Sequence, residues 1–316
     1  ANGWTLGMVG SRLFGIYFNC NPAAFLACIT IVLALIAVRE KFRGKFWYLI
    51  NIGIQIVYIL LTKCRVALII LVVIIIMVGY YFLIRRRPYT LFKRLMLVSG
   101  LVAVIVSASL LGQQLVEIVP QVQGIASKET SRFQMDKIKE AGRLLISGNI
   151  DDFNKGLTII DEVSNGRISL TKTALEIWHD EPLIGIGANN FKKIGSQETD
   201  VIEYWAVQVV HSHNVFLEAL VTTGLIGFIL FVIFFIKCVL MGFNVLKKSH
   251  GKEIYFIIQM FVMIVLSEFI GGLSDYGVFY IYSLSATLAW CFLGYLFTYQ
   301  NIIENKNESL EKFSND

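Results

Sequence analysis

Seven runs of mostly apolar residues, each long enough to cross a lipid bilayer, constrain this chain more than any other feature. A membrane-spanning α-helix needs about 20 mainly apolar residues, because lipid offers no partner for a free backbone N–H or C=O group. The chain is 56% hydrophobic and only 16% charged, whereas a soluble domain is about a quarter charged. We therefore predict an all-α polytopic membrane protein with about seven transmembrane helices. The predicted spans are residues 22–38, 46–62, 66–84, 95–112, 214–236, 254–272 and 278–299.

The basic residues between these spans predict how the chain is oriented. Lys and Arg cluster in the gaps 39–45, 85–94 and 247–252, which are every second gap between spans. The positive-inside rule places such gaps in the cytoplasm. The basic residues behind the net charge of +5 are thus interpreted as residues that set the orientation in the membrane. No patch that binds nucleic acid is expected. We predict a multi-pass protein of the cytoplasmic (inner) membrane, with its amino-terminal segment outside and its carboxy terminus inside.

One loop of about a hundred residues separates the fourth and fifth predicted spans and falls on the extracytoplasmic side. Long loops cross the membrane regardless of their charge. Helical periodicity predicts a polar helix over 127–146, and a second helix in which Leu170, Ala174, Leu175 and Trp178 share a face. The predicted domains are an extracytoplasmic segment 1–21, four spans in 22–112, the extracytoplasmic loop 113–211, three spans in 212–299, and a cytoplasmic, disordered tail 300–316.

Arg65 is the most unusual charge in the sequence, because it lies in a very short turn between two strongly apolar spans. An arginine at this position either extends to the lipid headgroups or points into a cavity that binds an anion. The sequence alone leaves both interpretations open.

A histidine-rich segment, His211-Ser212-His213-Asn214, opens the fifth span. Two histidines at i and i+2 do not share a helix face, so a metal pair is a poor interpretation and we predict no metal site. An imidazole titrates near neutrality, which suits the removal of a proton from a sugar hydroxyl. The alternative is a polar helix start capped by Ser212 or Asn214. Taken alone, the pattern favours the helix start.

Two other patterns predict structure rather than chemistry. The segment Gly185-Ile186-Gly187 lacks the third glycine and the strand–helix context of a dinucleotide site, so we interpret it as a tight turn. Acid pairs such as Asp161-Glu162 are interpreted as solvated loop charges. The sequence contains no D-x-D motif, so a metal–nucleotide-sugar site has no support.

Five short segments occur in order along the chain and surround the one long loop. The segments are Arg12-Leu13…Gly15…Asn21-Pro22 (R-x-x-G…N-P), Leu61-Thr62…Arg65 (L-T-x-S-R), Gly166-Arg167 (G-R), Pro182-Leu183-Ile184-Gly185-Ile186-Gly187 with Asn190-Phe191 (P-L-x-G-x-G…N-F), and His213-Asn214 followed after nine residues by Gly224…Gly227 (H-N-x9-G-x-x-G). Each match is weak by itself, but taken together the five resemble the O-antigen ligase and O-antigen polymerase family. Cys64 stands where the family usually has serine.

The resemblance implies a GT-C-like fold of roughly twelve helices, of which this chain is expected to be the carboxy-terminal part. It also implies an enzyme that transfers a glycan from a polyprenyl-diphosphate-linked donor to an acceptor hydroxyl, without metal, nucleotide or other cofactor. By resemblance, His213 removes the proton of the acceptor hydroxyl. Arg65, Arg167 and Arg12 are expected to hold the diphosphate, which suits a guanidinium because it stays charged and binds phosphate oxygens with a planar fork.

The sequence departs from the family at position 222, where Thr222 stands in place of a frequent acid. Glu218, one helical turn earlier, is a candidate substitute, although it is equally consistent with a residue facing the bundle interior. His211 and Asn190 are secondary site candidates.

The expected function is a polymerase of capsule, exopolysaccharide or O-antigen repeat units, with a lipid-linked glycan donor, a glycan or lipid acceptor and membrane lipid as its partners. One alternative is a ligase that moves the finished glycan onto a lipid or protein. Another is a transporter or flippase for the lipid-linked sugar. The candidate charges gather at one predicted membrane face rather than at the bilayer midplane, which favours the enzyme.

Overall fold

The computed structural model describes residues 8–9, 12–15, 20–81, 99–100, 130–164, 166–191, 193–194, 211–273 and 283–315. Apart from one short antiparallel hairpin, the regular elements of these residues are helices, as predicted. The chain forms two compact units, Ala1–Val119 with Phe234–Gly271 and Gly277–Asp316, and Pro120–Ile233 with Gly272–Tyr276. The elements are β1 Met8–Val9, β2 Arg12–Leu13, α1 Cys20–Arg39, α2 Lys45–Thr62, α3 Arg65–Gly79, α4 Thr130–Ile146, α5 Ile150–Val163, α6 Arg167–Asp180, α7 Val215–Ser249, α8 Tyr255–Gly272 and α9 Leu284–Asn315.

Four of the described helices, α1, α2, α7 and α8, are long and apolar enough to cross a membrane. Helix α3 is apolar but has only 15 described residues. The predicted span 95–112 lies outside the described residues, except for two helical positions at 99–100. The predicted span 278–299 is helical from Leu284, although α9 is not among the four.

Helix α1 packs against α2, α3 and α9 in the first unit. Small residues such as Ala24 and Cys28 are fully buried on it, which lets neighbouring backbones approach closely. On α8, a Cβ atom at Gly271 would lie 2.9 Å from the ring of Phe25. Gln259 of α8 is also buried, and its amide nitrogen donates to the backbone oxygen of Met77 at 2.9 Å. The first unit therefore has a packed helical core in which Gln259 bridges from α8 to α3.

Helices α4 and α5 form a hairpin in the second unit. The two helices approach closely at Gly156, where an added Cβ atom would lie 3.1 Å from the side chain of Leu145. Asn149 caps α5, because its side chain accepts from the backbone nitrogen of Asp151 at 3.0 Å. The predicted helix over 127–146 is described from Thr130 onward.

Helix α6 buries Leu170, Ala174 and Ile177 in a small hydrophobic cluster with Phe191 and Val221 of the same unit. The prediction that Leu175 shares this face is wrong, since its side chain is exposed. Ile177 takes its place, because positions spaced by three and four residues stack on one face of a helix.

The carboxy-terminal tail is helical through Asn315, so the prediction that it is disordered is wrong for residues 301–315. The extension of α9 has contacts of its own. Glu304 accepts from Gln300 at 2.9 Å and forms an ion pair with Lys248 of α7 at 3.3 Å. The composition of the tail does not show that a residue of another helix pairs with it, so composition alone predicted disorder.

Candidate functional site

The turn that joins α2 to α3 carries Arg65 in the first unit. Helix α2 ends at Thr62, whose buried hydroxyl donates to the backbone oxygen of Ile59 at 2.7 Å and accepts from the backbone nitrogen of Cys64 at 3.3 Å. Lys63 takes the left-handed conformation, with φ 51°. These constraints place Arg65 at the first position of α3, with its side chain exposed.

Arg12 lies at the same turn. Its Nε donates to the backbone oxygen of Thr62 at 2.9 Å, and a terminal nitrogen donates to Oδ1 of Asn21 at 3.0 Å. The guanidinium thus ties β2 and the start of α1 to the end of α2. Arg12 and Arg65 thus lie at the same turn, which Arg12 holds in place.

Cys64 occupies the N-cap position of α3 and makes no side-chain capping hydrogen bond. A serine at an N-cap accepts from a backbone N–H group of the first turn. The departure from the family's serine therefore leaves the start of α3 without this acceptor, immediately beside Arg65.

Arg167 is the first residue of α6 and is exposed. The helix start is capped from the preceding helix by Asp161, whose Oδ1 accepts from the backbone nitrogens of Ile168 at 2.8 Å and Ser169 at 3.1 Å. Its Oδ2 accepts from the hydroxyl of Ser169. The interpretation of Asp161 as a solvated loop charge is wrong. The cap is not apparent in the sequence, because Asp161 belongs to the preceding helix and not to the residues directly before α6.

The segment 182–187 docks onto a break in α7. Gly224 has non-helical backbone angles, φ 63° and ψ −171°. Backbone nitrogens of Ile186 and Gly187 donate to the oxygens of residues 221 and 222 at 3.0 and 2.9 Å, and the nitrogens of residues 225 and 226 donate to the oxygens of residues 182 and 183 at 2.8 and 3.3 Å. Four backbone groups of α7 near the break are thereby paired with the turn. We call residues 182–187 and 221–226 the glycine junction.

Two glycines make the glycine junction possible. A Cβ atom at Gly185 would lie 2.5 Å from the backbone nitrogen of Gly224, a distance that no side chain tolerates without movement of the chain. Both residues also have positive φ values, which glycine adopts without steric cost. Asn190 closes the turn, since its side-chain nitrogen donates to the backbone oxygen of Ile186 at 2.7 Å. The predicted tight turn is therefore a docking element, and the contact of Asn190 is structural.

The segment before α7 contains both a helix cap and the candidate base His213, and different residues supply them. Asn214 is the cap, because its Oδ1 accepts from the backbone nitrogens of Phe216 at 2.9 Å and Leu217 at 3.2 Å. His213 precedes the cap, is partly buried and has φ 54°. The helix start and a chemically active imidazole are thus compatible, because different residues supply them.

His211 and Glu218 bind two consecutive backbone N–H groups, those of residues 213 and 212. The backbone nitrogen of His213 donates to Nδ1 of His211 at 3.2 Å, and the ring centroids are 4.1 Å apart. The backbone nitrogen of Ser212 donates to Oε2 of the buried Glu218 at 2.8 Å. Burial and the neighbouring His213 lower the pKa of His211 to about 2. His211 is therefore neutral at physiological pH, as an acceptor at Nδ1 must be.

Left-handed backbone conformations mark the motif segments. Among the described residues, four that are not glycine have positive φ: Lys41, Lys63, Asn189 and His213. The last three lie in the turn before Arg65, in the turn after the glycine junction and before α7. Such conformations are uncommon outside glycine and cluster at functional sites, where the surrounding structure holds them.

A family model described as O-antigen ligase matches residues 50–232. The chain belongs to the O-antigen ligase family. The match contains Arg65, Arg167, His213 and Gly224. No curated protein matches the chain.

Membership of the O-antigen ligase family makes this chain a multi-pass membrane enzyme of the ligase or polymerase kind, with lipid-linked glycans as substrates. Within the second unit, Arg167 precedes Leu170 by three residues and His213 precedes Leu217 by four. Leu170 belongs to the hydrophobic cluster of that unit and Leu217 packs against it. The helix that Arg167 begins and the helix that His213 precedes therefore contribute side chains to the same cluster.

Proposed function

We propose that the protein is a polymerase that joins polyprenyl-diphosphate-linked repeat units of a surface polysaccharide on the outer face of the cytoplasmic membrane. The observation that carries the proposal is the backbone of His213, held in a left-handed conformation at the start of a helix long and apolar enough to cross a membrane. A base in this position meets a substrate whose lipid tail stays in the bilayer.

The reaction is a displacement at the anomeric carbon of the donor. His213 accepts the proton of the acceptor hydroxyl, and the acceptor oxygen forms a bond to the anomeric carbon. The bond from that carbon to the diphosphate oxygen breaks, and polyprenyl diphosphate leaves with the electron pair. The proton then passes from the imidazolium to water. A positioned base of this kind contributes about 10²–10⁴-fold to the rate.

Arg65, Arg167 and Arg12 are assigned to the diphosphate. A guanidinium stays charged at any working pH and donates two parallel hydrogen bonds to phosphate oxygens, so it stabilises the charge that develops on the leaving group. Two observations support this assignment for Arg65. Arg12 holds its turn, and Arg65 is the first residue of α3, so it lies at a helix N-terminus, which favours an anion.

A ligase that transfers the finished glycan to a lipid or protein acceptor is the second candidate, favoured by the description of the matching family model. Polymerase and ligase use the same base and the same cations and differ in the acceptor. The loop 113–211 belongs outside the membrane in either case, within a GT-C-like arrangement.

The test is transfer by the purified full chain from a polyprenyl-diphosphate glycan in detergent. We expect His213→Ala to lose about 10²-fold or more of the rate, while donor binding stays unchanged. The matched control is His179→Ala, since His179 is an exposed histidine of α6 in the same unit. A ladder of products identifies a polymerase, and a single addition to a lipid or protein acceptor identifies a ligase.

Full activity of His213→Ala would remove the proposed base. Movement of the donor across a vesicle membrane without any product would instead favour a transporter.

A further inference from the structure

We propose that His211 is a positioning residue, which holds the backbone of His213 in its left-handed conformation and presents the His213 imidazole to the acceptor hydroxyl. The inference rests on the proposed function, because it takes His213 as the base. It assigns to His211 a role that involves no contact with the substrate.

The contact that carries the inference joins the backbone of one histidine to the ring of the other. The backbone nitrogen of His213 donates to Nδ1 of His211 at 3.2 Å. A left-handed residue outside glycine is sparsely populated and persists only where its surroundings hold it. His211 supplies the acceptor for the N–H group of this residue, so its loss releases the backbone at the position that carries the base.

The neighbouring residues fix the peptide on both sides of His213, and His211 binds the N–H group between them. The backbone nitrogen of Ser212 is bound by Glu218 at 2.8 Å, and Asn214 caps α7 and donates to the backbone oxygen of Leu273 at 3.2 Å. Each of these contacts acts on an adjacent residue. The N–H group of His213 itself is bound by Nδ1 of His211.

The environment of His211 suits an acceptor and opposes a base. Its side chain is buried, and its Nδ1 is occupied by the backbone contact. A ring with an acceptor at Nδ1 carries its proton on Nε2. Burial keeps the ring neutral, so the acceptor is present throughout the physiological pH range. The rings of His211 and His213 meet edge to face, with an angle of 63° between their planes, which restricts rotation of the His213 side chain.

Three substitutions of His211 distinguish the contribution of its hydrogen-bond acceptor from that of its aromatic ring. His211→Asn places a carbonyl oxygen near the position of Nδ1. His211→Gln carries the same amide farther from the backbone, near the position of Nε2. His211→Leu keeps apolar volume and has no acceptor. We expect the Leu and Gln variants to lose about 10²-fold in kcat, as small misplacements of a reacting group do, with KM for the donor unchanged. The Asn variant should stay within about tenfold of the wild-type kcat.

A fall in kcat at unchanged KM that the Asn variant restores is the readout that a merely structural role would not give, and the pH profile tests for an acid or base role of His211. His211 does not titrate in the physiological range, so the Asn variant should keep the wild-type profile of kcat. Wild-type kcat in the Leu variant would overturn the inference. Equal losses in the Asn and Gln variants would also overturn it, and this comparison stands even if the Leu variant fails to fold.

Parallel measurement of His213→Ala keeps the two ideas apart. Activity in that variant sinks the proposed base. Inactivity of His213→Ala together with a fully active His211→Leu sinks only the positioning role.

Discussion

At the scale of single residues, the polar side chains around the start of α7 have distinct roles that the sequence alone does not separate. Asn214 caps the helix, and His211 and Glu218 each bind one backbone N–H group. Glu218 is the candidate substitute for the acid that relatives carry at position 222. Thr222 itself donates through its hydroxyl to the backbone oxygen of Glu218 at 2.6 Å. The structure supports a positioning task for Glu218, since its carboxylate is buried against the backbone of Ser212.

This task predicts opposite outcomes for two substitutions of Glu218. Glu218→Gln keeps an oxygen that accepts from Ser212, so transfer activity should stay within a few fold of wild type. Glu218→Leu leaves that buried donor unpaired, at a cost of about 1–3 kcal/mol, and should lower both the melting temperature and the transfer rate. Thermal unfolding in detergent and the transfer assay measure the two effects. A Gln variant as inactive as the Leu variant would indicate that the carboxylate acts as an acid or base.

At the scale of elements, the glycine junction explains why two distant glycine motifs occur in one chain. A break inside a helix leaves backbone groups without their usual partners, and the turn after α6 supplies them. In return, α7 holds the turn through the same hydrogen bonds. Neither the turn nor the break in α7 has all of its backbone partners without the other. The two glycine motifs are therefore the two halves of one contact.

The glycine junction predicts a large effect for one added methyl group. Gly185→Ala and Gly224→Ala each place a Cβ atom against backbone, where overpacking costs about 1–3 kcal/mol, in addition to a positive φ, which costs a residue with a side chain about 1–3 kcal/mol. Gly148→Ala is the matched control, because Gly148 has φ +77° but open space around its Cβ position. Melting temperatures should therefore fall further for the two junction variants than for the control. Equal losses in all three would show that backbone conformation, rather than close contact, decides the effect.

The physics of lipid explains which elements could be predicted. The predicted spans 46–62 and 254–272 match α2 and α8 to within one residue, because charged residues lie at or near both ends of each apolar run. The predicted span 214–236 is too short, since the helix continues to Ser249 past the exposed Lys237. A long basic side chain can extend toward water from such a position, so Lys237 is a poor end signal.

The motifs nominate the residues of the candidate site, but they do not predict its geometry. Motif spacing indicated His213 and the glycines, but the left-handed conformation of His213, the cap supplied by Asp161 and the pairing of Gly185 with Gly224 depend on contacts between residues apart in the chain. Hydrophobic periodicity reports only which face of an element is buried. Contacts between polar groups of different segments leave no such period.

At the scale of the whole molecule, the orientation in the membrane is the prediction with the widest consequence, because it decides which compartment holds the reaction. It follows from the basic gaps 39–45, 85–94 and 247–252. Two exposed positions test it. Ser147 lies in the turn between α4 and α5 of the predicted outer loop, and His250 lies in a predicted cytoplasmic gap.

Single cysteines at these positions report the side directly. In a Cys291→Ser background the remaining native thiols are buried, so a membrane-impermeant maleimide reports the introduced cysteine. Ser147→Cys should react in cells from which the outer barriers have been removed while the cytoplasmic membrane stays intact. His250→Cys should react only after that membrane is permeabilised. The difference arises because the reagent cannot cross lipid, so each position reacts only from the compartment that it faces. The reverse labelling pattern would place the long loop in the cytoplasm, where a reaction on the outer face could not reach His213.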